Sequence, residues 1–216
     1  MSCSELGVVG PDRNRPTLDE VAICLGKRVV EVQDRQLLVH RSHHIGVTRR
    51  GYGATVLDHS QFFHIGIRVT DIEAAMAEVG THAGVTWASV QDRPMSVWLP
   101  DSGPVVLQLA LTYSVEGPVH LELLQGPAGS IWDANDVPGA HHFGYWSDDV
   151  GADTQSLLDD GWTLELAAAS PEDGYGRFTY VRSPAGYLVE PVSLANKPRF
   201  ERWWAGGSLT DPVAPS

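Results

Sequence analysis

Two imidazoles and two carboxylates occupy matched places in this chain, and together they form a donor set for a divalent metal. His64 lies in the stretch FFHIGIRV and His142 in HHFGYWSD, each followed by an apolar residue and then a glycine. Glu122 lies in HLELL and Glu190 in LVEPV, each flanked by apolar residues. Period-two alternation turns a polar residue so flanked toward one face of its strand. A carboxylate buried there requires a cation or strong hydrogen bonds. Imidazole nitrogen plus carboxylate oxygen suits one divalent ion, Zn, Ni, Co, Fe or Mn, and the two carboxylates balance its charge. Four protein ligands on an octahedral ion leave two positions for water or substrate, the mark of a catalytic rather than a structural site. Such an ion polarises substrate oxygens. A glutamate beside it can remove a proton α to a carbonyl, because burial tunes carboxylates toward neutral pH. Glu122 and Glu190 are the candidate bases.

Three other histidines compete for a role. His141 adjoins His142, but His64-Ile65-Gly66 aligns with His142-Phe143-Gly144, and alternation turns His141 to the opposite face. His120, two residues before Glu122, shares the face of Glu122 and is expected to support a ligand from behind. His82 has no counterpart in the second stretch and reads as a surface loop residue.

Positioning these residues twice requires a scaffold built twice. FFHIGIRV reads as a strand, rich in β-branched and aromatic residues. The following TDIEAAMAEVG reads as a helix, with Thr70 as N-cap, Glu73 completing a capping box, and Ile72, Ala75, Met76 and Val79 on one face. Gly80 is its expected stop. MSVWLP, VVLQLALTYS and VHLELLQG follow as strands, and the Gly- and Pro-bearing GPAGSIWDANDVPGA as a connector. The order then repeats. HHFGYW is a strand, and DDVGADTQSLLDDG a helix with Val150, Thr154, Leu157 and Leu158 on one side. TLELAAA, RFTYVRSP and YLVEPVS are strands, with SPAG turning between the last two. The result is an α+β chain with a duplicated half-domain. Residues 1–60 form an N-terminal extension of unassigned structure, 61–124 the first βαβββ module, 125–140 the linker and 141–195 the second module. Residues 196–216 form a tail whose RFERWWAGG forms a short helix with Phe200, Trp203 and Trp204 on one face, a lid on the core.

Charge narrows the partners. Residues 1–60 carry 8 Lys/Arg and 7 Asp/Glu, whereas residues 61–216 carry 7 and 20. A body that acidic repels phosphate backbones and anionic membranes, so neither nucleic acid nor membrane is an expected partner. Cys3 and Cys24 form neither a disulfide framework nor a cysteine zinc site. No apolar run approaches the roughly 18 residues of a membrane span. The opening MSCSELGVVGPDRNRP lacks the basic and apolar regions of a secretory signal, so a cytoplasmic location is expected.

Across about residues 61–195, the repeat with His64, Glu122, His142 and Glu190 resembles the vicinal oxygen chelate superfamily, also called the glyoxalase/bleomycin resistance/dioxygenase superfamily. The resemblance implies two βαβββ modules whose curled mixed sheets enclose a metal-bearing cavity, with ligands on the first and last strands of each module. It implies a small-molecule substrate with two neighbouring oxygens and an enolate-like intermediate, hence an isomerase, epimerase or lyase, and it is compatible with a homodimer. The His, Glu, His, Glu order resembles bacterial glyoxalase I. Methylmalonyl-CoA epimerases commonly carry glutamine where Glu122 stands, and extradiol dioxygenases have no ligand there. Glu190 is the preferred base by this resemblance. Glutathione or CoA would require basic residues at the cavity mouth, for which Arg68, Arg93, Arg177 and Arg182 are available. Aromatic residues on the strands, Tyr113, Phe178 and Tyr180 among them, suit a ring-bearing substrate. A small-molecule binding protein on the same fold is the alternative, distinguished by ligand stabilisation that survives chelation.

Overall fold

The computed structural model describes residues 56–135 and 137–209, together with two short strands that pair antiparallel, β1 (Cys24–Leu25) and β2 (Arg28–Val29). The chain divides into two units, Met1–Arg49 and Arg50–Ser216, and the candidate site belongs wholly to the second. Most of the N-terminal extension and the end of the tail, residues 210–216, lie outside the described residues.

Eight strands of the second unit close into a barrel. They are β3 (Phe62–Arg68), β4 (Gln91–Leu99), β5 (Gly103–Tyr113), β6 (His120–Gln125), β7 (Gly139–Ser147), β8 (Thr163–Ala167), β9 (Thr179–Arg182) and β10 (Leu188–Ser193). The order around the barrel is β10-β7-β3-β6-β5-β4-β8-β9. Each half therefore runs first, last, third, second, counted along its own module. First and last strands pair in parallel, β3 with β6 and β7 with β10, and the remaining ladders are antiparallel. The two first strands, β3 and β7, join the halves antiparallel along their length, while β4 and β8 close the opposite seam through Trp98 and Ala167 alone. This is the mixed, curled sheet of tandem βαβββ modules.

One helix crosses over within each half, α1 (Ile72–Ala83) against β6 and α2 (Val150–Asp159) against β8, β9 and β10. Both begin with an aspartate in extended backbone, Asp71 and Asp149, whose side chains accept from the amides of Ala74 and Ala152. The N-cap of α1 is thus Asp71 and not Thr70; both residue types cap well, and the extended dihedrals of Asp71 make it the last residue outside the helix. The helix also runs through Gly80 to a left-handed cap at Gly84. Gly80 serves packing instead: a Cβ there would lie 3.1 Å from Nε1 of Trp87, which donates to the Met76 carbonyl at 2.9 Å. A single helical glycine costs only about 1 kcal/mol, which such packing offsets. His82 sits in the last turn of α1, its Nδ1 2.8 Å from the Glu78 carbonyl, rather than in a loop.

The barrel interior is apolar and continuous with the tail. Met95, Val97, Leu109, Leu111, Leu166 and Val192 fill it, and the tail helix α3 (Lys197–Trp204) packs Trp203, Phe200 and Trp204 onto the same cluster. Trp203 is fully buried, with its indole N–H donating to the Ser89 carbonyl at 2.9 Å. The inter-module segment adds to the core as well as connecting, since Trp132 is buried in the same cluster.

Candidate metal centre

Strand register brings the four donors together. On the β3/β7 ladder His64 lies opposite Gly144, and His142 opposite Gly66. On the parallel ladders Glu122 is paired with Gly66 and Glu190 with Gly144. Each glycine thus stands between a histidine on one side and a glutamate on the other, with nothing of its own in the space they share. A Cβ on Gly66 would fall 1.9 Å from Cε1 of His142, and one on Gly144 1.8 Å from Cε1 of His64. Each module's His-x-Gly therefore supplies one histidine and vacates the seat of the other. The β3/β7 ladder also carries two bulges: β3 has Phe63 as an extra residue just before His64, and β7 has His141 just before His142. Bulges re-aim side chains and strengthen local twist, and these two flank the histidines symmetrically.

The four side chains are buried, His64 at 0% exposure, His142 at 1%, Glu122 at 4% and Glu190 at 7%. The two Nε2 atoms are 2.8 Å apart. Oε2 of Glu190 lies 3.0 Å from Nε2 of His64 and 3.2 Å from that of His142, and Oε2 of Glu122 lies 3.4 and 3.1 Å from the same atoms. Neighbouring donors held about 2.1 Å from a common ion stand about 3 Å apart, so these edges fit a single divalent ion. Both Oε2 atoms are buried without a hydrogen-bond partner, and so is Nδ1 of His64. Two buried carboxylates aimed at one point, with two imidazole nitrogens in hydrogen-bond contact there, form an arrangement that a cation completes.

Without that cation the cluster is held by protons. Burial pulls the His142 pKa down, but the Glu122 and Glu190 carboxylates more than reverse this and raise it to about 9. The same opposition raises His64. Burial pushes both glutamates up, as expected, but the two histidines outweigh it, so each carboxyl titrates below its ordinary range and not toward neutral pH.

Two tyrosines complete the symmetry. Tyr113 is paired with Glu122 across the β5/β6 ladder. The register of β9 against β10, from Val189↔Val181 to the bridge Phe178↔Val192, places Tyr180 across from Glu190. Burial, reinforced by the carboxylates, lifts both phenols well above their ordinary pKa, which keeps them protonated. Their place beside the glutamates follows from strand pairing; in the sequence their only signal is that each precedes its Glu by about one hairpin.

The rival histidines resolve differently from expectation. His141 does not turn away from the site. As the bulged residue it escapes alternation, its Nδ1 lies 3.1 Å from Nδ1 of His142, and its ring centroid is 5.6 Å from that of Tyr180. It thus contacts the back of the His142 ring, a role expected for His120. His120 instead donates from Nδ1 to the Ser114 carbonyl at 2.7 Å and stacks on Trp204 at 3.7 Å.

Glu122 and Glu190 line a cavity of about 70 Å³ together with Leu109, Tyr113, Trp132, Phe178, Tyr180 and Phe200. Arg93, Arg177 and Arg199 line it too. Of the arginines expected at its mouth, Arg68 and Arg182 line a separate depression instead, beside His141, His142 and Tyr187. Arg182 is paired with Glu165, and Arg68 donates to the Ile131 carbonyl. Arg199, unremarked in the sequence, joins through the docking of α3.

Fold and site together define a glyoxalase-like protein. The chain belongs to the Glyoxalase/Bleomycin resistance protein/Dioxygenase superfamily, whose family model matches residues 63–180, more than half of its length. Solved structures similar to it include methylmalonyl-CoA epimerase from Mycobacterium tuberculosis, at 17% identity over 67% of this chain and 93% of that one, with a TM-score of 0.44. A variant of the Streptomyces coelicolor methylmalonyl-CoA epimerase in complex with 2-nitronate-propionyl-CoA is 23% identical over 62% of this chain and 93% of that one, with a TM-score of 0.43. A hypothetical protein from Bacillus halodurans C-125 is 17% identical over 61% and 92%, with a TM-score of 0.42. No curated protein matches the chain. No helix among the described residues is long and apolar enough to cross a membrane.

Proposed function

We propose that the protein is a divalent-metal-dependent enzyme of the glyoxalase type, acting as an isomerase, epimerase or lyase on a small substrate with two neighbouring oxygens. The observation that carries this reading is the convergence of His64, Glu122, His142 and Glu190, from four strands, with both glutamates lining a cavity. These four residues would hold the ion through Nε2 and Oε2. When bound, it supplies Lewis-acid polarisation of the substrate oxygens.

The protein's own groups do the rest. Glu190 lines the cavity and removes the proton α to the substrate carbonyl, developing an enolate-like anion, and Glu122 mirrors it on the other side. The protonated phenols of Tyr113 and Tyr180 stand beside these carboxylates as neutral donors. Apolar walls limit water at the reacting carbon. All four donors come from one chain.

Elemental analysis of tag-free protein, beside a His64→Ala/His142→Ala double variant, tests the reading. Near-stoichiometric metal in the parent that is lost from the folded variant is the expected result. It would justify screening α-hydroxy carbonyl, 2-oxo aldehyde and acyl-CoA substrates. Failure to take up Zn, Ni, Co, Fe or Mn on reconstitution would overturn it.

A further inference from the structure

Residues 61–216 hold only 7 Lys/Arg against 20 Asp/Glu, yet three of those seven cations, Arg93, Arg177 and Arg199, line the cavity that the glutamates enter. On a surface so rich in carboxylates, an arginine that serves stability finds an acidic partner, as Arg182 does with Glu165. Among the described residues these three have no carboxylate within ion-pair distance. Arg93 projects from β4 on the same side as Met95, another cavity residue, and its Nε is buried without a hydrogen-bond partner. Arg177 immediately precedes the cavity residue Phe178. Arg199 reaches in from α3, donating from Nε and Nη2 to the Leu209 carbonyl at 3.3 and 2.9 Å.

What these cations feel is one another. Burial lowers the Arg93 pKa, and the charges of Arg177 and Arg199 lower it further; Arg177 is lowered by burial and by Arg199. Gathering like charges in a partly dry space destabilises the free protein unless an anion enters. A guanidinium fork matches the two oxygens of a carboxylate or phosphate.

We infer that Arg93, Arg177 and Arg199 bind an anionic group, a carboxylate or phosphate, on the substrate, and that the apolar wall spans the interval between that group and the oxygens directed at the His/Glu cluster. The inference rests on the proposed metal function for the second half of this placement, but not for the anion site itself. The substrate class is therefore a small organic anion with a chelating oxygen pair at one end and the charge at the other. The three cations line a cavity rather than a flat face, and the acidity of the surrounding body disfavours polyanions.

Calorimetry with a matched pair of chelators tests the assignment. Glutaric monohydroxamate and pentanohydroxamate present the same oxygen pair and differ by a carboxylate against a methyl group. Metal-loaded protein is expected to bind the carboxylate member at least tenfold more tightly, with Arg93→Gln and Arg177→Gln each reducing the preference several-fold and Arg93→Lys restoring part of it. Melting temperatures supply a readout of opposite sign. If the arginines serve a ligand, the glutamine variants melt at or above the parent temperature, because repulsion is relieved. Glutarate and inorganic phosphate, added to the His64→Ala/His142→Ala variant, separate the two proposals. Stabilisation of that variant by either anion, lost on Arg93→Gln, sustains the anion site even where the metal reading fails. Equal affinity for the two hydroxamates with no stabilisation by glutarate or phosphate would overturn the inference, as would arginine variants that melt lower while keeping the ligand preference.

Discussion

Glu190 and Glu122 are near-mirror images about the histidine pair, and the proposed division of labour between them is testable one atom at a time. Glu190→Gln keeps an oxygen donor and the side-chain volume but removes the base. We expect a retained fold, melting somewhat lower through loss of the pairing with His64 and His142, and turnover lower by about 10²–10⁴-fold, the usual worth of a positioned general base. Full activity would remove Glu190 from proton transfer. The histidines set the pH dependence. His142 titrates at about 9 in the metal-free fold against an ordinary 6.5, so its contribution is complete below pH 6.5 and is lost as pH rises toward 9. The glutamates titrate below their ordinary 4.5, so their contribution is present above that value and is lost in acid. Metal-free protein is therefore expected to be most stable between about pH 5 and 6.5 and to melt progressively lower up to pH 9. Metal affinity should rise across that same upper window, because the ion displaces the imidazole protons. Thermal melts in chelator and in zinc, over a pH series, read both trends; a flat chelator series from pH 6.5 to 9 would contradict the proton-held cluster.

At the scale of strands, the glycines matter as much as the ligands. Gly66→Ala or Gly144→Ala would force a Cβ into the ring of the opposite module's histidine, at 1.9 or 1.8 Å. The expected outcome is about 1–3 kcal/mol of destabilisation from overpacking, measured by denaturant unfolding. Loss of at least tenfold in metal affinity should accompany it, because the displaced ring is a proposed ligand. Stoichiometric, tight metal in both variants would show that the rings have room the geometry denies them. The His-x-Gly repeat was visible in the sequence, but its reciprocal meaning was not, because nothing local says that β3 pairs with β7 so that each glycine faces the other module's histidine. The same limit explains His141. Alternation assumes a regular strand, and the bulge that redirects His141 is a property of two paired strands.

For the molecule as a whole, α3 joins the tail to the barrel and supplies part of the cavity wall. Trp203→Ala should cost about 3–5 kcal/mol in unfolding free energy, since it empties a fully buried indole site and removes the bond to Ser89. The proposed metal ligands lie on barrel strands, so metal content at low temperature should persist. Weakened anion binding should follow instead, because Arg199 enters the cavity only when α3 is docked. Loss of metal with retained stability would reverse that assignment of roles. Closure of the barrel at the Trp98/Ala167 pair makes the two modules one enclosure, which is why a site assembled from four strands is buried without a second chain.

The duplicated βαβββ order, the four candidate ligands and the apolar face of the tail were determined by the sequence alone, because they are expressed in periodicity, residue type and internal repetition, which are local or self-comparing signals. Tertiary structure alone decided the helix boundary at Gly84, the contact of His141 with His142, the phenols standing against the glutamates, and the arginines that share a cavity. Each of these depends on which distant segments become neighbours. The sequence offers Arg93 and Arg177 for the cavity but does not separate them from Arg68 and Arg182, and it leaves Arg199 in a tail; only closure of the barrel and docking of α3 select the three that share one cavity.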